Sequence, residues 1–139
     1  MAKFLPGVPV AKGTRGWFVY SSGSAGINPH ALTTREEYTV PAGKRLRVDH
    51  ANLEIVIAVA ATTPKGRQLS LYAVIEGVLT NISKNILREN VNTVGQSLVM
   101  NIQPNVFLEE GETLRLYTSD DSSGGKAAYY GHVWYTLFD

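Results

Sequence analysis

The sequence predicts an all-β protein, an antiparallel β-sandwich of the jelly-roll type behind an extended N-terminal arm. Three observations predict it. Apolar side chains recur at every second position in one segment after another. Turn signals rich in Gly, Pro, Asn and Asp separate those segments at intervals of roughly 8–12 residues. Only residues 83–91, with Ile86 and Leu87 among charged neighbours, have the look of a helical turn.

At 139 residues the chain has the size of one domain, large enough to bury roughly two thirds of its unfolded surface. Apolar residues make up 44% and charged residues 18%, a balance that suits a globular protein rather than a disordered one. The absence of cysteine excludes a disulfide framework, a thiolate nucleophile and a cysteine zinc site. No segment approaches the roughly 20 apolar residues of a membrane helix, and the first residues lack the apolar run of a signal peptide. A protein made in the cytoplasm, with no membrane contact, is therefore expected. Net charge is +1 but unevenly spread. Lys3, Lys12, Arg15 and Arg35 all precede the first acid, Glu36, while the remaining nine Lys/Arg face twelve Asp/Glu. A basic front thus precedes a slightly acidic body, with no overall field that favours nucleic acid.

Residues 1–16 read as the arm. Pro6, Gly7, Pro9 and Gly13 break any period, while Phe4, Leu5, Val8 and Val10 need a surface to cover, on their own domain or on a neighbouring subunit. The sandwich is expected over 17–139. It opens with the β-rich run Trp17-Phe18-Val19-Tyr20, followed by a loop of small residues, 21–26. Val40-Pro41-Ala42-Gly43-Lys44 reads as a turn between two strands. Leu46 and Val48 face inward on even positions, whereas Leu53, Ile55, Ile57 and Val59 do so on odd ones. One residue must therefore be absorbed as a bulge between Asp49 and Asn52. Further strands are expected at 68–76, at 78–82 and at 97–103, with Leu98, Met100 and Ile102 on one face. A strand–turn–strand unit around Leu108-Glu109-Glu110-Gly111-Glu112-Thr113-Leu114 follows, and a last strand runs over 127–138. The total is about eight strands.

Candidate chemistry is sparse, and no enzyme activity, cofactor or metal is expected. His30, His50 and His132 show no metal-ligand spacing, and His132 reads as a half-buried sheet residue with its hydrogen bonds met. Asp49 and His50 are adjacent in a strand and should point to opposite faces, which separates them as an acid and base. Asp120-Asp121-Ser122-Ser123-Gly124-Gly125 lacks the spaced ligands of an EF-hand and reads as a solvated hairpin loop. The serine- and glycine-rich loop at 22–26 has no Walker lysine, and no serine sits in a nucleophile elbow. The aromatics of the last strand stand out. Tyr129, Tyr130, Trp134, Tyr135 and Phe138 occupy both of its faces, so one set fills the core and the other needs cover from the arm, a subunit or a ligand such as a sugar.

The apolar arm, the Val40-Pro41-Ala42-Gly43-Lys44 turn, the turn at 108–114 and the aromatic last strand together resemble the small structural proteins of tailed bacteriophages, and among them the capsid decoration proteins. That resemblance implies a homotrimer on the capsid surface, bound to the major capsid protein and stabilising the shell, with Phe4, Leu5, Val8, Val10, Trp17 and Trp134 as partner-binding residues. These turn formats also occur in tail-fibre modules that bind receptors or carbohydrate, for which the exposed aromatics would form the platform.

Overall fold

The computed structural model describes residues 13–139, so the arm residues Phe4, Leu5, Val8 and Val10 lie outside the described residues. Nine strands follow in order: β1 (Thr14–Ser21), β2 (Thr33–Thr39), β3 (Arg45–Val59), β4 (Arg67–Ile75), β5 (Val78–Leu87), β6 (Ser97–Ile102), β7 (Val106–Leu108), β8 (Thr113–Asp120) and β9 (Lys126–Phe138). They form two antiparallel sheets. The larger has the order β1-β9-β3-β6, with β7 continuing the β6 edge along β3, and the smaller has the order β2-β8-β4-β5. Counting β6 and β7 as one interrupted strand gives the eight strands of a jelly roll, in which the chain repeatedly crosses between two packed sheets. Thr14, Arg15 and Gly16, expected in the arm, pair with Leu137, Thr136 and Tyr135 as the first residues of β1.

The alternation seen in the sequence builds the core. Leu46, Val48, Leu53 and Ile55 from the larger sheet meet Leu69, Leu71, Leu114 and Leu116 from the smaller, all fully buried. Each such side chain contributes about 1.5–3 kcal/mol by leaving water. Tyr135 of β9 stacks on Tyr38 of β2 with ring centroids 4.7 Å apart, tying the two sheets together near one margin. At the opposite margin Asn85 of β5 donates to the carbonyls of Leu53 and Leu98 at 2.8 and 3.0 Å, linking the sheets through one amide.

Bulges decide which side chains face in. Val48 pairs with Tyr135 and His50 with Trp134, which leaves Asp49 as the extra residue and restores the inward face at Ala51, as the change of parity requires. A second bulge at Ala58 turns Val59 outward to 43% exposure, against its expected place in the core. A third, at Ile82, interrupts the pairing of β5 with β4. Residues 83–87 are consequently strand rather than helical turn. The bulge breaks the two-residue period in the sequence, and the buried Asn85 and Leu87 resume it on the core side. The β4–β5 turn has positive φ at both Glu76 and Gly77, the geometry whose twist matches that of the flanking strands. In β6 the expected inward set lies at a sheet edge, where Leu98 stays 40% exposed while Met100 and Ile102 pack on the core.

The loop at 120–125 is not simply solvated. Asp120 and Ser122 are fully buried, and so is Arg67. Arg67 Nε lies 3.2 Å from Asp120 Oδ2, within ion-pair range but misdirected for a hydrogen bond. Arg67 Nη2 donates to Asn92 Oδ1 at 3.2 Å, and the Ser122 N–H donates to Asp120 Oδ1 at 2.8 Å. Burial and the adjacent Asp120 carboxylate raise the pKa of the Tyr129 hydroxyl far above its ordinary value, so it stays protonated beside the pair. Removing one ion leaves the other uncompensated, whereas an apolar pair leaves neither. Asp120→Asn is therefore expected to lower unfolding free energy by about 3–5 kcal/mol in urea titrations, and Arg67→Met with Asp120→Leu by much less.

Candidate functional site

The two outer sheet surfaces carry different side chains. On the smaller sheet, Arg115 Nε donates to Glu37 at 2.8 Å, Arg115 Nη1 donates to the Tyr117 hydroxyl at 3.3 Å, and Tyr72 packs edge-on against Tyr117. On the larger sheet the cross-strand register brings three zones together. Arg45 lies over the Phe107 ring at 4.4 Å and Arg47 over the Phe138 ring at 5.3 Å, forming a basic and aromatic lower corner. Trp17, Trp134 and His50 form the next row across β1, β9 and β3. Val19, His132, Asn52 and Asn101 form the row beyond it.

The central feature is a stack. His132 lies on Trp134 with ring centroids 3.7 Å apart and planes 14° from parallel, and His50 lies 4.8 Å from the same indole at 17°. His50 reaches it because the Asp49 bulge turns both Asp49 and His50 to the outer face. Adjacent residues were expected to point apart, and the extra residue cancels that alternation. They still form no acid–base pair. Asp49 accepts from Arg47 Nε and from the Thr136 hydroxyl, each at 2.5 Å, so its oxygens serve to anchor the bulge.

Beside the stack is a shallow groove of about 310 Å³, lined by Val19, Ser21, Asn52, Tyr130, His132 and Trp134 together with the backbone around Gly131. Asn52 donates one amide hydrogen to Asn101 at 2.8 Å, and the other has no partner among the described residues. Trp17 stands 65% exposed at the free edge of the sheet, and Val19 beside it is 49% exposed. Trp17 and Trp134, both singled out from the sequence, thus pair across β1 and β9. Tyr130 and His50 were considered separately from the sequence, while Val19 and Asn52 were not singled out. Their common face follows from parity once the β1–β9–β3 register is known. Among the described residues, no group of three or more His, Asp or Glu could hold a metal ion.

No family model matches this chain, and neither does any curated protein. Among solved structures it is similar to dimeric latent PorU from Porphyromonas gingivalis, at 18% identity and a TM-score of 0.51, over 100% of this chain and 14% of that one. The chain therefore spans about one seventh of PorU. It is also similar to the nucleoplasmin-like N-terminal domain of Drosophila FKBP39, at 14% identity and a TM-score of 0.44 over 95% of each chain. A third likeness is to Desmodium yellow mottle tymovirus, at 9% identity and a TM-score of 0.43 over 99% of this chain and 94% of that one. At these identities the likeness concerns the fold alone.

The His132 side chain was expected to have its hydrogen bonds met, yet its buried Nε2 has no partner among the described residues. Burial holds the His132 pKa below its ordinary value, and the neighbouring His50 lowers it further. The folded chain thus resists a proton that the unfolded chain takes up near pH 6.5, so this part of the stability is present above that pH and lost as pH falls below it. Calorimetry is expected to show the midpoint falling from about pH 7.5 to about pH 5.5, with a smaller fall in His132→Phe. An equal fall in the variant would assign the effect to other groups.

Proposed function

We propose that this chain is a structural virion protein, bound to the outside of a phage capsid and stabilising the shell without catalysis. The observation that carries the reading is the aromatic row on the larger sheet, with Trp17 at 65% exposure beside the half-buried Trp134. A tryptophan held on a rigid strand gives a large contact area with little entropy to lose, the usual make-up of an interface anchor. The jelly-roll strand order supports the reading, since the architecture is widely used in viral capsids, though lectin domains share it.

The partner would be the major capsid protein, with the chain present as a homotrimer and Phe4, Leu5, Val8 and Val10 of the arm adding apolar contacts. Many copies, each burying a modest patch, stabilise a shell through avidity rather than through any one tight contact. A second reading, a receptor- or carbohydrate-binding module of a phage tail, draws on the groove beside Trp134, where Tyr130 and the second amide hydrogen of Asn52 could meet a sugar.

Quantitative mass spectrometry of purified particles separates the two readings. Hundreds of copies per particle are expected for a shell protein, a handful for a tail module, and none if the virion reading is wrong. In the first case Trp17→Asp is expected to weaken particle binding by about thirtyfold, equivalent to about 2 kcal/mol, with the fold intact by circular dichroism.

A further inference from the structure

We infer that β1 is a docking edge for a second copy of this chain, in an antiparallel β1–β1 pairing about a two-fold axis at Phe18 that joins the larger sheets of two protomers into one. The inference goes beyond the virion reading and concerns the free protein, with no shell present.

The backbone of β1 supplies the pairing groups. Among the described residues β1 is an edge strand, bonded to β9 on one side only. The Ser22 N–H donates to the Tyr129 carbonyl at 3.0 Å, in the same register that pairs Ser21 with Tyr130. Bonded positions alternate in an antiparallel ladder, so Phe18, Tyr20 and Ser22 direct their backbone groups to β9. The N–H and C=O groups of Arg15, Trp17, Val19 and Ser21 therefore point away from the sheet. Phe18 and Tyr20 turn their side chains toward the core, while Trp17 and Val19 stand exposed on the outer face.

Every other sheet edge among the described residues carries a device against such pairing. β2 holds Arg35, Glu36 and Glu37 in succession and a bulge at Arg35. β5, though apolar at Val78 and Leu79, is broken by the Ile82 bulge and carries Lys84. β6 and β7 are short and separated by residues 103–105, with Pro104 among them. Charge, bulges, proline and short length are the means by which sheets keep their edges from joining. β1 pairs with β9 without a register shift, and its one charge, Arg15, lies near its start.

The edge is also complementary to itself. With the two-fold axis at Phe18, Trp17 lies opposite the second copy's Val19 and Arg15 opposite the second copy's Ser21, so apolar side chains meet apolar ones and all the outward backbone groups of the strand are paired. An axis at Trp17 leaves Ser21 without a strand partner, and one at Val19 leaves Arg15 without one. In the Phe18 register the two Arg15 positions fall about 20 Å apart, at about 3.3 Å per residue, well beyond a Debye length of about 8 Å. Such a contact is isologous and closes at two copies, so it does not grow into a fibre.

Sedimentation equilibrium of the full chain is expected to show reversible association into dimers of twice its 15.2 kDa. Val19→Pro removes an N–H that β9 does not use, a change that an edge strand accepts, and is expected to weaken association about thirtyfold with the circular dichroism unchanged. Val19→Lys keeps the N–H, sets a charge on the outer face and is expected to act likewise, so a folding defect of the proline variant does not decide the matter. Because the chain has no cysteine, disulfides read the register. The Cα atoms of a bonded antiparallel pair lie about 5.5 Å apart, within disulfide reach. Oxidising a mixture of Arg15→Cys and Ser21→Cys chains is expected to give linked dimers, and neither variant alone to do so. A chain that stays monomeric, which would leave β1 to a strand of another protein, overturns the proposal. So does association that Val19→Lys leaves unchanged, or crosslinking of either cysteine variant alone as fast as the mixture.

Discussion

The antiparallel pairing of β3 with β9 is the constraint on which the rest of the structure depends. These are the two longest strands, and they pair along almost their whole length at the centre of the larger sheet. Their inner faces supply Leu46, Val48, Leu53, Ile55, Tyr129 and Val133 to the core, while their outer faces supply the two imidazoles, the indole and the Asn52 amide. Because side chains alternate along a strand, one register assigns both faces at once, and a slip of one residue would exchange them. The Asp49 bulge holds that register midway along the pair. Its carboxylate is fixed by Arg47 and Thr136, one from each strand, so the irregularity is itself hydrogen-bonded in place.

One end and one margin of the sandwich are closed by different physics. At the β4–β8 end a charged pair sits in the interior with Asn92, Ser122 and Tyr129 around it. Such a cluster adds less net stability than an apolar plug, yet it tolerates few alternative arrangements of the loops that carry it. Asn92 also bonds both the N–H and the carbonyl of Ala61, as a strand neighbour would. At the β2–β9 margin the closure is aromatic, through Tyr38 on Tyr135. Burial and the Tyr38 hydroxyl push the pKa of Tyr135 up to about 12, so that closure stays neutral across the physiological range.

Both outer faces leave apolar side chains exposed at an edge strand. On the smaller sheet Arg115 is tied to Glu37 and Tyr117, while Val78, Leu79 and Ile86 of β5 stay exposed. The larger sheet presents Trp17 and Val19 at its free β1 edge, next to the stack on Trp134. What sets the larger sheet apart is the aromatic make-up of that edge, the make-up of a contact surface.

The sequence by itself determined the all-β class, most strands, the turn after Val40 and the bulge near Asp49, because alternation and its changes of phase are local properties written in neighbouring residues. It also showed that one set of aromatics on the last strand must lie outside the core, since a strand carrying aromatics at successive positions cannot bury both sets. Only the tertiary structure decided that β5 continues through Asn85, that Val59 turns outward, and that Asp120 is a core residue rather than a loop acid. In each of these the deciding partner is distant in sequence: the carbonyls of Leu53 and Leu98, the β9 strand, and the Arg67 guanidinium. The grouping of His50, Asn52 and Val19 with Trp134 is of the same kind. It depends on which strands become neighbours, and strand neighbours in a jelly roll are set by packing the two sheets together rather than by any local preference of the chain.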